Sequence, residues 1–585
     1  MKNFNIYMLF FSLLLVFACE EEYADYTAPD DLSDVSWVVG LDPNNPSPEA
    51  KYKLNTGSYV PFMNLSQGAS SSEWMIEEGN YFLKTGFKAS DTLDNFIDED
   101  LGTSMDHEKA FILFKNSGTN TVRLINKFKE PVTPNMSGND SLVVKIDTYE
   151  ENGEYVVDTK FIFDVYADVL PAFSVLQNGN EIINVSEDDI IDINDQNTWP
   201  IVEVEAASSL TFKDNTTTGR PNRAEWRIVQ GVPNQIITDA QTETEIKFYK
   251  LGTFNAGIFR SFRTPIQGDL APQYSAQKII PLKVKVIQSS QPFVYDGALT
   301  EAANETISFR VTGEVVPFAG QESNFTVHVN NPTSGFNQDI PVQTAKVRAS
   351  DATFIELILA APIYNSDEIT VSYSGSSIES ADSRTLEPFG PELVQMHFGN
   401  NVLPANSWAS FELTGGNVDN AFASSKYWIP PGQGNGQYGD LIYERVTTKS
   451  YTGSASMRYQ IPDVSIPLIN LFGFGLADSP NGLDAGTYQV SYWVFIEPGT
   501  TINTFRTEFG NPTYGYLNFD ISTAPRGQWV KVTADAPLVV ASKITSSDAN
   551  RRTTLRILDM DNPGVSGPQE IYFDELSLVV IENRP

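Results

Sequence analysis

Apolar residues in this chain recur with a period of two. Val143-Val144-Lys145-Ile146-Asp147, Lys283-Val284-Lys285-Val286 and Ile369-Thr370-Val371-Ser372-Tyr373 are typical runs. Successive side chains of a strand point to opposite faces, so each run predicts a strand with one face on a core. Turn residues interrupt the runs about every 8–12 positions, the spacing of all-β sandwiches. No long segment carries the 3.6-residue period of an amphipathic helix. The expected fold class is all-β.

The pattern also repeats. Phe62-Met63-Asn64-Leu65-Ser66 precedes Glu73-Trp74-Met75-Ile76-Glu77-Glu78-Gly79, and Phe212-Lys213-Asp214-Asn215-Thr216 precedes Glu225-Trp226-Arg227-Ile228-Val229-Gln230-Gly231. A Gly-led strand follows each, from Gly118 and from Gly252. Repetition of this kind predicts tandem units, with Trp74 and Trp226 as core residues. The pattern resembles the PKD domain, an immunoglobulin-like sandwich, whose Trp-x-Phe-Gly-Asp-Gly stands here as Trp-x-Ile-Glu-Glu-Gly and Trp-x-Ile-Val-Gln-Gly. A third unit, with Phe354-Ile355-Glu356-Leu357-Ile358-Leu359 and Asp367-Glu368-Ile369 to Tyr373, resembles a bacterial Ig-like repeat. Pro171, Pro200, Pro292, Pro388, Gly390 and Pro391 fit short, stiff joints between modules.

Beyond Pro391 the chain gains aromatic, Gly and amide residues. Tyr427-Trp428-Ile429-Pro430-Pro431-Gly432 and on to Tyr438 reads as a loop. In the strand from Tyr488 to Phe495, Tyr488, Val490, Tyr492 and Val494 alternate toward a core. Trp493 then faces the other side, which is either an open ligand face or one covered by a loop. Trp529, in Gly527-Gln528-Trp529-Val530-Lys531-Val532, reads as a packing residue. Thr504, Arg506 and Glu508 share one face if their segment is extended.

Length and charge narrow the partners. The 585 residues exceed what one core holds. Against 39 basic residues stand 74 acidic ones, a net charge of −35. Such a field repels polyanions, which argues against nucleic acid and disfavours sulfated or uronic-acid glycans. The histidines, His107, His328 and His397, fall in different units, without metal-ligand spacing. No Walker or dinucleotide glycine pattern follows a strand. A glycosidase needs only a carboxylate pair, but no Glu-x-Asp-x-x-Glu strand is present. The expectation is a non-enzyme without a catalytic cofactor. A hydrolase or lyase within the C-terminal unit is the alternative, and a protein-binding surface adhesin is another.

The N-terminus reads as an address. Lys2 precedes an apolar run, Ile6 to Phe17, of signal-peptide length and too short to span a membrane. Leu15-Val16-Phe17-Ala18-Cys19 resembles a bacterial lipobox, with Phe17 bulkier than usual. Cys19 is the sole cysteine, so an intrachain disulfide is excluded and lipidation of Cys19 is expected. Glu20-Glu21-Glu22-Tyr23-Ala24-Asp25 is similar to the export signal of Bacteroidota surface lipoproteins.

The C-terminal unit carries a further resemblance. Tyr451-Thr452-Gly453 to Tyr459, Leu483-Asp484 to Val494, Gly527 to Thr533 and Ile571-Tyr572-Phe573-Asp574 to Leu578, in that order, look like the β-jelly-roll carbohydrate-binding modules of families 4 and 22. A pyranose presents an apolar face to an aromatic ring and hydroxyls to amides, carboxylates and Arg. The resemblance implies Trp428, Tyr427, Trp493, Tyr438, Tyr514 and Tyr516 as stacking candidates and Arg506, Glu508 and Arg458 as polar ones. Asp574 matches a last-strand Asp that helps hold structural Ca2+ in such modules, an ion that takes oxygen ligands.

The expected order is a signal peptide (1–18), an acidic tether (19–40), PKD-like sandwiches (41–170 and 171–290), an Ig-like sandwich (291–390) and a carbohydrate-binding β-jelly-roll (391–585). It resembles the surface glycan-binding lipoproteins of Bacteroidota polysaccharide-utilisation systems. That implies a cell-surface protein anchored in the outer membrane, capturing extracellular polysaccharide beside a TonB-dependent transporter and a SusD-like partner. A neutral glucan is the expected ligand, β-1,3-glucan such as laminarin first and mixed-linkage glucan or xylan next.

Overall fold

A computed structural model describes residues 33–40, 52–88, 90–134, 144–265, 271–403, 408–412, 442–461, 468–475, 482–509, 515–545 and 552–585. Cys19 and the acidic run behind it lie outside the described residues. Every regular element longer than one 3-10 turn is a strand. Among the described residues no helix is long and apolar enough to cross a membrane. The expected all-β class holds, as tandem sandwiches.

The first two sandwiches share one plan. In the first, Lys53–Asn55 pairs in parallel with the long strand Glu154–Tyr166, followed across the sheet by Gly118–Phe128, Ser71–Met75 and Ser104–Met105. In the second, Ile201–Glu205 pairs in parallel with Tyr274–Ile287, followed by Gly252–Arg263, Arg223–Ile228 and Gln235–Asp239. The opposing sheets carry Tyr59–Asn64 and Ser209–Asp214. Trp74 and Trp226, in corresponding strands, are buried as the pattern requires. Trp74 lies 5.3 Å from Phe62 at 54°, and Trp226 lies 5.3 Å from Phe212 at 58°. The strand Trp37–Val39, within the stretch read as tether, pairs with Tyr59–Asn64.

The third sandwich is closed by Phe389–Gln395, which runs across position 391. This strand pairs antiparallel with Glu368–Tyr373 and parallel with Tyr295–Glu301, so it passes between the sheets. Phe309, Val327, Leu357 and Val371 fill the core.

The fourth sandwich holds a six-stranded sheet and a four-stranded one. The larger runs Ile442–Val446, Ser456–Ile461, Gln569–Ile581, Gly486–Ile496 and Trp529–Thr533, with Leu538–Val540 also on Gly486–Ile496. The smaller runs Leu468–Gly475, Arg552–Leu558, Thr504–Phe509 and Tyr516–Asp520. Tyr459, Tyr492, Val494, Phe505, Phe519 and Phe573 fill the space between. Such burial at roughly 25 cal/mol per Å² of apolar surface is the main force holding the sheets together.

Polar ties cross the joints. Arg263, almost fully buried in the second sandwich, donates to Asn55 Oδ1 of the first at 2.6 Å. Tyr249 Oη donates to Asp296 Oδ2 of the third at 2.5 Å. Arg584 Nη2 of the fourth reaches Asp367 Oδ2 of the third at 2.7 Å, its guanidinium lying over the Phe336 ring.

Candidate functional site

The outer face of the six-stranded sheet concentrates aromatic side chains. Period-two alternation along Gly486–Ile496 turns Tyr492, Val494 and Ile496 into the core, so Trp493 and Phe495 point outward. Register aligns their neighbours. Phe495 stands opposite Tyr572 on one side and Trp529 on the other. Trp493 stands opposite Asp574 and Lys531. Arg458 and Gln460 of the next strand stand opposite Tyr572 and Glu570. Strands about 4.8 Å apart make this a platform some 14 Å wide from Arg458 to Trp529.

Trp529 is a correction. Its neighbours Val530 and Val532 pack on the core, so Trp529 faces out, with its ring 5.8 Å from Phe495 and 6.1 Å from Tyr451. The choice left open for Trp493 also resolves. A loop covers it: Tyr451 lies flat on the indole, centroids 3.7 Å apart and planes at 12°. Tyr451 is 39 % exposed and becomes the outward ring of a two-ring stack.

Asp574 holds that loop from below. Its carboxylate is fully buried and accepts from the backbone N–H of Tyr451 at 2.7 Å, Thr452 at 3.3 Å and Glu575 at 2.8 Å. Burial pushes its pKa up to about 7, against the opposing effect of those amide donors. Glu412 grips the far end of the loop through Ser454 N and Ala455 N. Asp574 faces N–H donors, whereas Ca2+ takes oxygen ligands, and no group of three or more metal-ligating side chains is present among the described residues.

Beside the rings sits a polar network. Arg458 Nε donates to Glu570 Oε1 at 2.9 Å and its Nη2 to Gln460 Oε1 at 2.8 Å. Gln460 Nε2 and Tyr572 Oη both donate to Glu570, at 3.2 and 2.6 Å. Burial, then the bond to Glu570, raises the Tyr572 pKa. Lys449 pairs with Glu497 and lies 3.7 Å from the Phe495 centroid. Arg458 and Lys449 are each paired with a carboxylate of the protein, while Lys531 stands exposed beside Trp493; the network offers donors and acceptors suited to neutral hydroxyls.

Asp574 and Glu570, the carboxylates at the centre of this face, are both engaged. Asp574 has the raised pKa of a general acid, but it is sealed beneath Tyr451 and both its oxygens accept amide hydrogens. Both Glu570 oxygens are likewise engaged.

The predicted residues divide. Trp493 and Arg458 belong to the platform. Thr504, Arg506 and Glu508 share a face, as expected, but on the four-stranded sheet across the core. There Arg506 Nε bonds Asp561 Oδ2 at 2.7 Å and its guanidinium lies over Tyr516, while Glu508 pairs with Arg556 at 2.8 Å. Packed sheets stand about 10 Å apart, so one sugar cannot touch both faces. Tyr427, Trp428, Tyr438 and Tyr514 lie outside the described residues. Tyr451, Trp529, Tyr572, Glu570 and Gln460 lie on the same face, and the sequence reading did not place them there.

No family model matches the chain and no curated protein sequence matches it. Solved structures give low-scoring likenesses. SGBP-B from a complex xyloglucan utilization locus in Bacteroides uniformis is 11% identical, over 65% of this chain and 96% of that one, with a TM-score of 0.20. A structure described with a xylogluco-oligosaccharide is 10% identical over 94% of this chain and all of that one, at 0.18. The CBM22-1 xylan-binding domain of Paenibacillus barcinonensis Xyn10C is 11% identical over 25% of this chain and 85% of that one, at 0.17. TM-scores this low establish neither a shared fold nor a shared ligand.

Proposed function

We propose that this chain is a non-catalytic, cell-surface polysaccharide-binding protein whose ligand lies on the outer face of the six-stranded sheet in its fourth sandwich. The carrying observation is the Tyr451–Trp493 stack beside the Arg458–Gln460–Glu570–Tyr572 network. A flat ring backed by a second ring removes a sugar's C–H face from water. The network alongside offers directional bonds to hydroxyls without an unpaired charge. A neutral β-linked polysaccharide fits, with laminarin the first choice and mixed-linkage glucan and xylan next. A lipid on Cys19, anchorage in the outer membrane and delivery to a TonB-dependent transporter with a SusD-like partner complete the reading.

The test is calorimetry and affinity electrophoresis of the full chain against laminarin, mixed-linkage glucan, xylan and xyloglucan. Retarded migration with unchanged polymer length supports binding without chemistry. Shortened polymer would replace the reading by an enzyme, and silence across the whole panel would favour an adhesin.

A further inference from the structure

A concave surface lies far from the aromatic platform in sequence, at the joint between the second and third sandwiches. The cleft has a volume of about 400 Å3, within the range of small-ligand pockets, roughly 300–1,000 Å3. Gln230, Asn234, Tyr249 and Lys250 line it from one sandwich, and Arg310 and Asp351 from the other. Its walls are fixed to each other. Tyr249 Oη donates to Asp296 at 2.5 Å, and the Leu251 amide donates to Glu314 Oε2 at 3.1 Å.

Arg310 keeps donors that its packing does not use, although Asp351 lies within electrostatic reach of it. Its guanidinium lies over the Tyr249 ring at 4.9 Å and the Phe354 ring at 4.4 Å. Only Nη1 is engaged among the described residues, donating to Thr353 Oγ1 at 3.0 Å. Nε and Nη2 therefore keep their donors, held in a fixed plane. The side-chain amides of Gln230 and Asn234 stand exposed at the rim, without a hydrogen bond among the described residues. Lys250 Nζ lies 3.7 Å from Asp351 Oδ1, so the lining carries one cation more than it carries anions. A planar cation with free N–H groups matches a carboxylate in two-pronged geometry, and rim amides match hydroxyls.

We propose that this cleft is a second carbohydrate site, one that takes an acidic sugar, with the hexuronate carboxylate on Arg310 and its hydroxyls on Asn234, Gln230 and Asp351. The attraction of Arg310 for a carboxylate acts only within the cleft, because exposed charges are screened beyond about 8–10 Å in salt. The site stands apart from the platform at Tyr451, and either can fail without the other.

Calorimetry of the full chain with trigalacturonate tests it, with laminarin as the platform probe. Wild type binds trigalacturonate, Arg310→Gln weakens that binding at least ten-fold, and laminarin binding is unchanged. Asn234→Asp, an exposed change that leaves the core intact, weakens trigalacturonate binding at least three-fold through an added negative charge. Tyr451→Ala leaves trigalacturonate binding unaltered. Absence of trigalacturonate heat in the wild type would overturn the proposal. So would loss of that heat in Tyr451→Ala, or its survival at full strength in both cleft variants.

Discussion

Tyr451 and Trp493 lie face to face, 3.7 Å between centroids, though 42 positions separate them in the chain. The stack makes the two rings one functional unit. Tyr451→Ala removes the ring proposed to meet the sugar but uncovers the indole beneath, which can take over part of that contact. The expected loss is about 1 kcal/mol for Tyr451→Ala and about 1–3 kcal/mol for the double variant with Trp493→Ala, in the range of aromatic stacking on planar ligands. A double-mutant cycle by calorimetry on laminarin reads the coupling. Strictly additive losses would show that the rings act separately.

Asp574 predicts a pH effect on stability. Its folded-state pKa is raised from 3.8 to about 7. Between those values the folded chain holds a proton that the unfolded chain releases. The contribution is present below about pH 4 and is lost as pH rises toward 7, at up to about 1.4 kcal/mol per pH unit. Asp574→Asn removes this slope. Urea midpoints measured from pH 4 to 7 should fall more steeply in the wild type than in the variant, and parallel curves would contradict the assignment.

The third and fourth sandwiches are tied by a buried ion pair. The side chains of Arg584 and Asp367 are 8% and 0% exposed. Asn365 strengthens the tie, with its Nδ2 donating to Val580 O and its Oδ1 accepting from Glu582 N. Removing one partner leaves the other charge buried, a change that costs roughly 3–5 kcal/mol. Arg584→Ala should therefore loosen this joint while each sandwich stays folded. Small-angle scattering would broaden and protease would cut near residue 400. An unchanged scattering curve would show that the packing of the two units, and not the ion pair, sets the joint.

Trp74 and Trp226 occupy matching sites, and neither indole Nε1 has a hydrogen-bond partner among the described residues. Trp→Phe at either position deletes an unpartnered N–H along with some volume, so the two penalties should be similar and below those of Trp→Ala, about 3–5 kcal/mol. Denaturant unfolding of the four single variants checks the pairing. A large difference between Trp74→Phe and Trp226→Phe would show that the repeat is not energetic.

Much of the architecture was legible because alternation is local. The Phe-and-Trp pairing at Phe62/Trp74 and Phe212/Trp226 could be read from spacing alone, and so could the inward set Tyr488, Val490, Tyr492 and Val494. Trp529 was misread as core, although Val530 and Val532 turning inward fix it outward by the same rule. Tyr451 was not legible, since its place depends on Asp574, 123 positions later. Arg506 and Glu508 were placed on the right face of their strand, but alternation does not say which sheet that strand joins. The platform depends on pairings distant in sequence, and those are what a pattern of neighbours does not carry.

The strand Gln569–Ile581 sits at the centre of the six-stranded sheet, between Ser456–Ile461 and Gly486–Ile496, and carries Glu570, Tyr572 and Asp574. Neither flanking strand touches the other, so the two are joined in one sheet only through this strand from much later in the chain. Distant pairings of this kind form slowly, and they form together. Glu570, Tyr572 and Asp574 therefore take their places beside Arg458 and Trp493 only once this strand has joined the sheet.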